Sequence, residues 1–176
     1  MPHTLQNFDI SALPSPAYVI DEAKLEANLK ILADVQARSG AKVLLALKAF
    51  SMFSVAPLVK QYLSGTCASG PFEAQLGFEE FGGEVHTYAA AYREQDIDTV
   101  LRYSNHVVFN SFSQWQRFKS RALAAKEENS KLSFGLRINP EHSEGATPIY
   151  DPCAPCSRMG IPLAHFEGQS LEGIDG

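Results

Sequence analysis

The residue with the clearest chemical potential is Lys48, which ends the otherwise apolar run Leu-Leu-Ala-Leu-Lys at residues 44–48. In parallel α/β proteins the reactive groups collect where strands end. Apolar neighbours would desolvate a lysine held there and favour its neutral amine, which can form a Schiff base with an aldehyde cofactor or a carbonyl substrate. The alternative is a lysine whose aliphatic stem packs while its ammonium group reaches solvent.

Other chemically capable side chains follow further predicted strands. Arg137 ends the run Phe-Gly-Leu-Arg. It would either stand near a cofactor ring or an anion, which its planar guanidinium suits, or bond structurally to a loop carboxylate. Ser69 and Glu73 lie where a Cys-Ala-Ser-Gly segment turns into a helix, and small residues there let a ligand approach the backbone. Glu73 is also favoured at a helix start whatever its function.

Cys153 and Cys156 form a Cys-Ala-Pro-Cys motif. A zinc site would need two more ligands, and the nearby His142 and His165 follow no recognised spacing. A thioredoxin-like motif would open a helix directly after a strand, whereas this motif lies in a proline-rich loop. The preferred interpretation is therefore a structural loop.

The elements that must position these residues alternate between strands and helices. A first helix is predicted after an N-cap at Asp21, and it is expected to end at Ser39-Gly40. Its predicted buried face carries Leu25, Leu29, Leu32 and Val35. Strands are predicted at 42–47, 66–69, 85–89, 106–110 and 132–138, with a helix between each pair. The first of these helices is predicted over residues 55–63.

His86 and His106 fall within two of these predicted strands. Each is interpreted as a core or interface histidine rather than a metal ligand.

A repeating βα pattern predicts a parallel sheet, because parallel neighbours need a crossover connection. Either an open doubly wound sheet or a (β/α)₈ barrel accommodates five such strands. The first strand–helix junction, residues 47–51, has no GxGxxG, which argues against a dinucleotide-binding sheet. A barrel takes about 250 residues, so the barrel interpretation requires more than these 176 residues. Residues 174–176 are then expected to approach a sixth strand.

The composition is typical of a globular domain, with 45% apolar and 20% charged residues. The net charge of -5 and the lack of a basic run give no reason to expect nucleic acid or a membrane as a partner. The longest apolar run, Val43 to Leu47, is too short to span a bilayer. No secretory signal is visible in residues 1–16, and three cysteines are sparse for a secreted scaffold. A cytoplasmic location is expected.

Five segments together resemble a known family: LLALKAFSMFSV, CASGPFEAQLGFEEFGGEVH, HVVFNSFSQW, LRINPEHSE and YDPCAPCSRMGI. In this order they are similar to the carboxynorspermidine (carboxyspermidine) decarboxylases. These enzymes are fold-type III pyridoxal-phosphate decarboxylases with an alanine racemase-like N-terminal domain. The resemblance runs through nearly the whole chain.

The resemblance implies an α/β chain that forms part of a (β/α)₈ TIM-like barrel, with about five of its eight strands present. Residues 1–176 would be the N-terminal part of the barrel domain that binds pyridoxal 5'-phosphate, while the rest of the barrel and a C-terminal β-domain would lie outside this chain. It also implies a homodimer when full length. Lys48 matches the lysine that binds the cofactor covalently, Ala46 a small residue beside the cofactor, and Arg137 an arginine near its ring.

Two further positions bear on the resemblance. Arg158 matches a basic position near the dimer interface of related decarboxylases. The wider group often has an aspartate where this chain has Thr66, so the role of that carboxylate does not carry over.

The implied function is pyridoxal-phosphate-dependent decarboxylation of carboxynorspermidine or carboxyspermidine in polyamine biosynthesis. The alternatives are decarboxylation of another basic amino acid such as diaminopimelate, and a non-catalytic relative that binds the cofactor. The 176-residue polypeptide alone is expected to be inactive, because the later family residues that complete the site would be missing.

Overall fold

Five short parallel strands form one sheet in the computed structural model, which describes residues 10–176. Residues 1–9 lie outside the described residues. They belong to the segment 1–16, in which the sequence shows no secretory signal. The strands are β1 Leu44–Ala46, β2 Gly65–Ala68, β3 Glu84–Tyr88, β4 His106–Phe109 and β5 Ser133–Leu136. The α-helices are α1 Glu22–Ser39, α2 Ala56–Val59, α3 Pro71–Leu76, α4 Ile97–Tyr103 and α5 Phe112–Glu128.

The strand order distinguishes the two architectures that the sequence left open. The strands lie in the order β1-β2-β3-β4-β5, and every neighbouring pair is parallel. A doubly wound sheet reverses its winding direction, so that its strand order is not sequential. A sheet wound in one direction is the arrangement of (β/α)₈ barrel strands. The predicted α/β class with five barrel-type strands is confirmed.

The caps of α1 agree with the sequence. The Asp21 side chain accepts a hydrogen bond from the Lys24 N–H at 3.1 Å, which satisfies one free donor at the helix start. Gly40 ends the helix in the left-handed region, with φ of 73°, where a residue without a side chain is favoured.

The predicted buried face of α1 is partly wrong. Leu29 is buried, but Leu32 and Val35 are 38% and 45% exposed. The reason is Gln36, whose side-chain oxygen accepts hydrogen bonds at 2.7 Å from the Val43 N–H and from a serine hydroxyl after α2. The polar side chain of Gln36 therefore faces the sheet, and Leu32 and Val35 lie on the side of α1 that is turned towards solvent.

The two faces of the sheet differ in what covers them. One face packs against the helices, and we call it the helix-covered face. Its side chains are almost fully buried: Thr66, Val85, Thr87, Val107, Phe109 and Phe134. No helix of the described chain lies over the other face, and we call it the open face. Its residues are only half-buried: Ala46, Cys67, His86, Tyr88, Val108 and Gly135. Because side chains alternate along a strand, neighbouring residues in each strand belong to different faces.

Helix α3 continues into a π-helical segment, Gly77–Phe81. A Cβ on Gly77 would lie 2.4 Å from Oγ1 of Thr66, so only glycine lets this segment approach β2 so closely. The helix predicted over residues 55–63 is also shorter than expected, since α2 spans only Ala56–Val59.

The last three residues lie beside the outer edge of β5. The Asp175 N–H donates to the Phe134 carbonyl at 2.8 Å, and the Leu136 N–H donates to the Gly176 carbonyl at 2.9 Å. Lys126 of α5 also bonds the Asp175 carboxylate at 2.7 Å. This is the placement expected of residues that approach a sixth strand.

Across residues 10–176, no helix combines the length and the apolar character that crossing a membrane requires.

Candidate active site at the carboxyl edge of the open face

Lys48 lies at the carboxyl edge of the open face, in the turn that follows β1. It borders a cavity of about 230 Å³. The residues around this cavity come from the ends of four neighbouring strands: Ala46, Cys67, Ala68, Ser69, His86, Thr87, Tyr88 and Val108. Parallel strands end at one edge, so the fold brings these segments together although they are far apart in the sequence.

The turn after β1 fixes the direction of Lys48. The N–H groups of Ala49 and Phe50 both donate to the Ala46 carbonyl, at 3.0 and 3.2 Å. Leu47 takes the helix-covered side and is 2% exposed. The next side chain, Lys48, therefore falls on the open side.

Lys48 is exposed, so the sequence-based expectation that apolar neighbours desolvate this lysine is wrong for the described chain. The physical reason is that Leu47 occupies the apolar layer under the helices, while the open face beside Lys48 has no covering layer within residues 10–176. Lys48 nevertheless borders the cavity between the strand ends.

Ala46 lies two residues before Lys48 on the same face and borders the same cavity. Its methyl group leaves space over β1 that a larger side chain would fill. This is the position that the family resemblance assigns to a small residue beside the cofactor.

Arg158 borders a second cavity together with Lys48. This cavity has a volume of about 440 Å³, and the two cavities share Lys48, Ser69 and Tyr88. Arg158 belongs to the loop of residues 151–161, which lies beside this end of the sheet.

Arg137 follows β5 and lies over the ring of Tyr88, with 4.8 Å between the guanidinium carbon and the ring centroid. Among the described residues, no carboxylate lies within ion-pair distance of Arg137, Lys48 or Arg158. The alternative of a structural arginine bonded to a loop carboxylate is therefore not what the described chain shows. Tyr88 connects Arg137 to both cavities that Lys48 borders.

Asn110, directly after β4, holds the loop of residues 151–161 in place. Its Oδ1 accepts hydrogen bonds from the Tyr88 hydroxyl at 2.6 Å and from the Gly160 N–H at 2.7 Å. Its Nδ2 donates to the Arg158 carbonyl at 2.8 Å. One amide group thus joins the end of β3, the end of β4 and the loop that carries Arg158.

Gly160 is required for this loop to pack. Its φ is +84°, and a Cβ there would lie 2.8 Å from the Asn139 backbone nitrogen. Both the conformation and the close approach favour glycine.

Glu73, in the first turn of α3, caps the start of that helix. The Glu73 carboxylate accepts a hydrogen bond from the Ser69 N–H at 2.8 Å. This capping bond is a structural role for Glu73, whereas Ser69 borders both cavities.

The three cysteines form no disulfide with one another. Cys67, Cys153 and Cys156 are all free thiols. Burial raises the pKa of the Cys67 thiol above its ordinary value, so this thiol stays protonated near neutral pH and is a poor nucleophile. The Cys153 N–H donates to the Asp151 carboxylate at 2.8 Å, within a series of tight turns, as the loop interpretation predicts.

His86 and His106 lie together on the open face, with ring centroids 4.0 Å apart. Burial, followed by the neighbouring His86, lowers the pKa of His106, so His106 is neutral near neutral pH. Glu84 lies beside both rings, and hydrogen bonds from Lys42 and His86 lower the pKa of its carboxyl group. The interpretation of each histidine separately, as a core or interface residue, missed this grouping.

Thr66 lies on the helix-covered face and does not border the Lys48 cavity. Its hydroxyl is buried without a hydrogen-bond partner in the described chain.

Sequence reasoning also missed Tyr88 and Asn110. Both lie within the last two positions of predicted strands, close to the strand ends that Lys48 and Arg137 also mark. The rule that reactive groups collect at strand ends would have identified them if it had been applied to polar side chains as well as charged ones.

Comparison with known proteins finds relatives along nearly the whole chain. The chain is 40% identical over 172 residues to the carboxyaminopropylagmatine decarboxylase of Synechocystis sp., covering 98% of the chain and 43% of that protein. It is 40% identical over 164 residues to the carboxynorspermidine/carboxyspermidine decarboxylase of Campylobacter jejuni, covering 93% of the chain and 41% of that protein. The resemblance is confirmed. The chain spans about two fifths of the length of these relatives.

Solved structures extend the comparison to the fold. The structure of Campylobacter jejuni carboxynorspermidine decarboxylase complexed with norspermidine matches with a TM-score of 0.78 and 38% identity, over 93% of this chain and 40% of that one. Helicobacter pylori diaminopimelate decarboxylase matches with a TM-score of 0.68 and 19% identity, over 86% of this chain and 39% of that one, and shows the fold alone. No protein-family model matches the chain.

Proposed function

We propose that the intact protein is a carboxy-lyase that decarboxylates carboxynorspermidine or carboxyspermidine in polyamine biosynthesis, with pyridoxal 5'-phosphate as its cofactor. The observation that carries this proposal is the position of Lys48. It borders a cavity between strand ends in a chain that is 38% identical to a structurally matched carboxynorspermidine decarboxylase.

The residues present fit such a cofactor. Lys48, Arg137 and Arg158 are cationic side chains without a carboxylate partner in the described chain, and a phosphate-bearing aldehyde is an anion that suits such a set. The small side chains of Ala46 and Ser69 leave space beside the amine. When bound, the cofactor would supply an electron sink for the charge that develops on loss of carbon dioxide.

Each residue has a distinct proposed role. The Lys48 amine would bind the cofactor aldehyde covalently and, once freed by substrate, would hold and return a proton at its nitrogen. Ala46 would keep the space over β1 open. Arg137 would hold positive charge near the cofactor ring, supported by Tyr88.

We also propose the setting of this site in the whole protein. The singly wound sheet with residues 174–176 beside β5 is the N-terminal part of a (β/α)₈ barrel domain. Further strands and a C-terminal β-domain would cover the open face and exclude water from Lys48. In this proposal the intact protein is a cytoplasmic homodimer. It binds a small carboxylated polyamine, and it binds neither nucleic acid nor a membrane.

The direct test is a decarboxylation assay on the full-length protein with added pyridoxal 5'-phosphate. We expect turnover of carboxynorspermidine, its loss in Lys48→Ala, and its retention in Lys60→Ala, an exposed lysine on the helix side. Unchanged turnover in Lys48→Ala would overturn the role of this amine.

Substrate choice needs a separate measurement because the two relatives with equal identity differ in their names. Carboxynorspermidine, carboxyspermidine and carboxyaminopropylagmatine should be compared by kcat/KM in one assay. We expect one of the first two to give the highest value. A higher value for carboxyaminopropylagmatine would reassign the substrate but leave the reaction class intact.

Arg137→Met should weaken cofactor binding without unfolding the protein. A charge-assisted hydrogen bond is worth about 1.5–3 kcal/mol, so we expect a roughly 10- to 100-fold increase in the Kd for pyridoxal 5'-phosphate. Equilibrium titration followed by absorbance measures this value. A Kd equal to that of the unsubstituted protein would exclude Arg137 from the cofactor site.

A further inference from the structure

A second cluster of chemically capable side chains lies on the open face, nearer the amino ends of β3 and β4 than Lys48. It consists of Glu84, His86 and His106, whose ligand atoms all lie within 4.8 Å of one another. Two imidazole nitrogens and one carboxylate oxygen form a donor set that binds zinc and similar divalent metal ions. The Lys48 chemistry proposed above does not use these three side chains as a group.

The distances suit a common ion. Zinc lies about 2.0–2.2 Å from nitrogen and oxygen ligands, so two ligand atoms at a tetrahedral angle are roughly 3.4 Å apart. Oε2 of Glu84 lies 3.0 Å from Nε2 of His86 and 3.9 Å from Nε2 of His106. These two separations lie on either side of the required value, so only small side-chain rotations are needed.

Neighbouring groups orient two of the donors. The Ser133 hydroxyl contacts Nδ1 of His106, and a metal-bound histidine commonly bonds such a partner through its other ring nitrogen. Lys42 contacts Oε1 of Glu84. Nε2 of His106 and Oε2 of Glu84 are therefore the atoms that face the centre of the cluster.

We propose that Glu84, His86 and His106 bind one divalent transition-metal ion of the zinc type. The ion links adjacent strands β3 and β4 on the face that the helices do not cover. Three protein ligands leave one position of a tetrahedral ion for water. His86 also borders the Lys48 cavity, so the proposed metal site adjoins that cavity.

The test begins with the 176-residue chain and the full-length protein, both freed of metal by chelation. Isothermal titration with zinc chloride should show one saturable site, and bound zinc should raise the Tm. Titration with cobalt chloride should give an absorption spectrum of nitrogen and oxygen ligands without a thiolate charge-transfer band. Absence of saturable binding would overturn the proposal.

Substitutions assign the ligands. His106→Gln should raise the Kd for zinc more than about 100-fold, since losing an outer partner of a ligand already costs about 10- to 100-fold. Ser133→Ala should raise it about 10-fold. The matched control replaces Cys153 and Cys156 by serine and should leave the Kd unchanged. Zinc binding that is lost in this control but kept in His106→Gln would show thiolate binding and overturn the proposal.

A further variant keeps the test decisive if His106→Gln fails to fold, which circular dichroism will show. Lys42→Met removes a positive charge that repels the ion across the Glu84 carboxylate. We expect this repulsion to outweigh the orienting contact with Oε1, so zinc should bind roughly two- to fivefold more tightly. If the three residues are only a hydrogen-bonded polar cluster, Lys42→Met and Ser133→Ala will both leave the zinc titration unchanged, which overturns the proposal.

Discussion

The helix-covered face and the open face of the same sheet carry different kinds of residues. On the first, Val85, Val107 and Phe109 are completely buried. On the second, the residues next to them in the same strands, His86 and Val108, are half-buried and border the Lys48 cavity. Strand alternation thus separates the side chains that stabilise the fold from those that suit chemistry. Substitutions of adjacent residues should therefore have very different effects on stability.

The largest expected difference is between Phe109 and Val108. The Phe109 ring packs against Tyr92, Trp115 and Phe134, with centroids 5.8, 5.2 and 6.1 Å away. Phe109→Ala should lower the free energy of unfolding by about 3–5 kcal/mol. Val108→Ala, the adjacent control on the open face, should lower it by about 1 kcal/mol. Urea denaturation measures both, and equal losses would contradict the division between the faces.

The next effect concerns the loop at the carboxyl edge. Asn110→Ala removes the three hydrogen bonds that join Tyr88, Arg158 and Gly160, each worth about 0.5–1.5 kcal/mol net. We expect hydrogen exchange in residues 151–161 to accelerate roughly 10- to 1,000-fold, while β4 keeps its protection. Asn110→Asp retains both acceptor bonds and should give a smaller increase. Unchanged exchange in Asn110→Ala would show that other contacts hold the loop.

A smaller effect concerns Asp175 at the outer edge of β5. Its hydrogen bond from Lys126, together with the Phe134 N–H, lowers the pKa of its carboxyl group below the ordinary 3.8. A carboxyl group with a lowered folded-state pKa stabilises the fold above its unfolded pKa, and this stabilisation is lost as pH falls through the folded value.

Asp175→Asn should therefore reduce stability slightly at neutral pH and flatten the decline in Tm below about pH 4. Thermal melts between pH 7 and pH 2 measure this decline. Glu172→Gln is the control, since Glu172 also pairs with a lysine of α5, Lys119, but makes no bond to β5. If Tm depends on pH in the same way in the two variants, the hydrogen bond from the Phe134 N–H to the Asp175 carboxylate contributes nothing to stability.

Much of the fold could be predicted from the sequence because its signals are local. Apolar runs bounded by turns predict all five strands, and the caps at Asp21 and Gly40 predict the ends of α1. The prediction of the buried face of α1 was partly wrong because that face depends on Gln36, whose amide bonds Val43 just before β1 and Ser64 just before β2. Such a polar contact leaves no periodic signal in the sequence.

The sequence predicted that candidate site residues would lie at the strand ends, but it did not predict what surrounds them. Lys48, Ala46 and Arg137 follow from strand ends and from the resemblance. The links from Tyr88 to Asn110 and from Asn110 to Arg158 join residues 22 and 48 positions apart, and only the folded chain shows them. The exposure of Lys48 depends on what covers the open face, which local sequence patterns do not report.

The most direct test of the account is to map where pyridoxal 5'-phosphate attaches. The full-length protein is incubated with the cofactor, reduced with borohydride, digested and analysed by mass spectrometry. We expect the reduced phosphopyridoxyl label on Lys48, with Lys42 and Lys60 unlabelled although both are exposed. Label spread over the exposed lysines, or absent from Lys48, would contradict the assignment of the open face as the catalytic one.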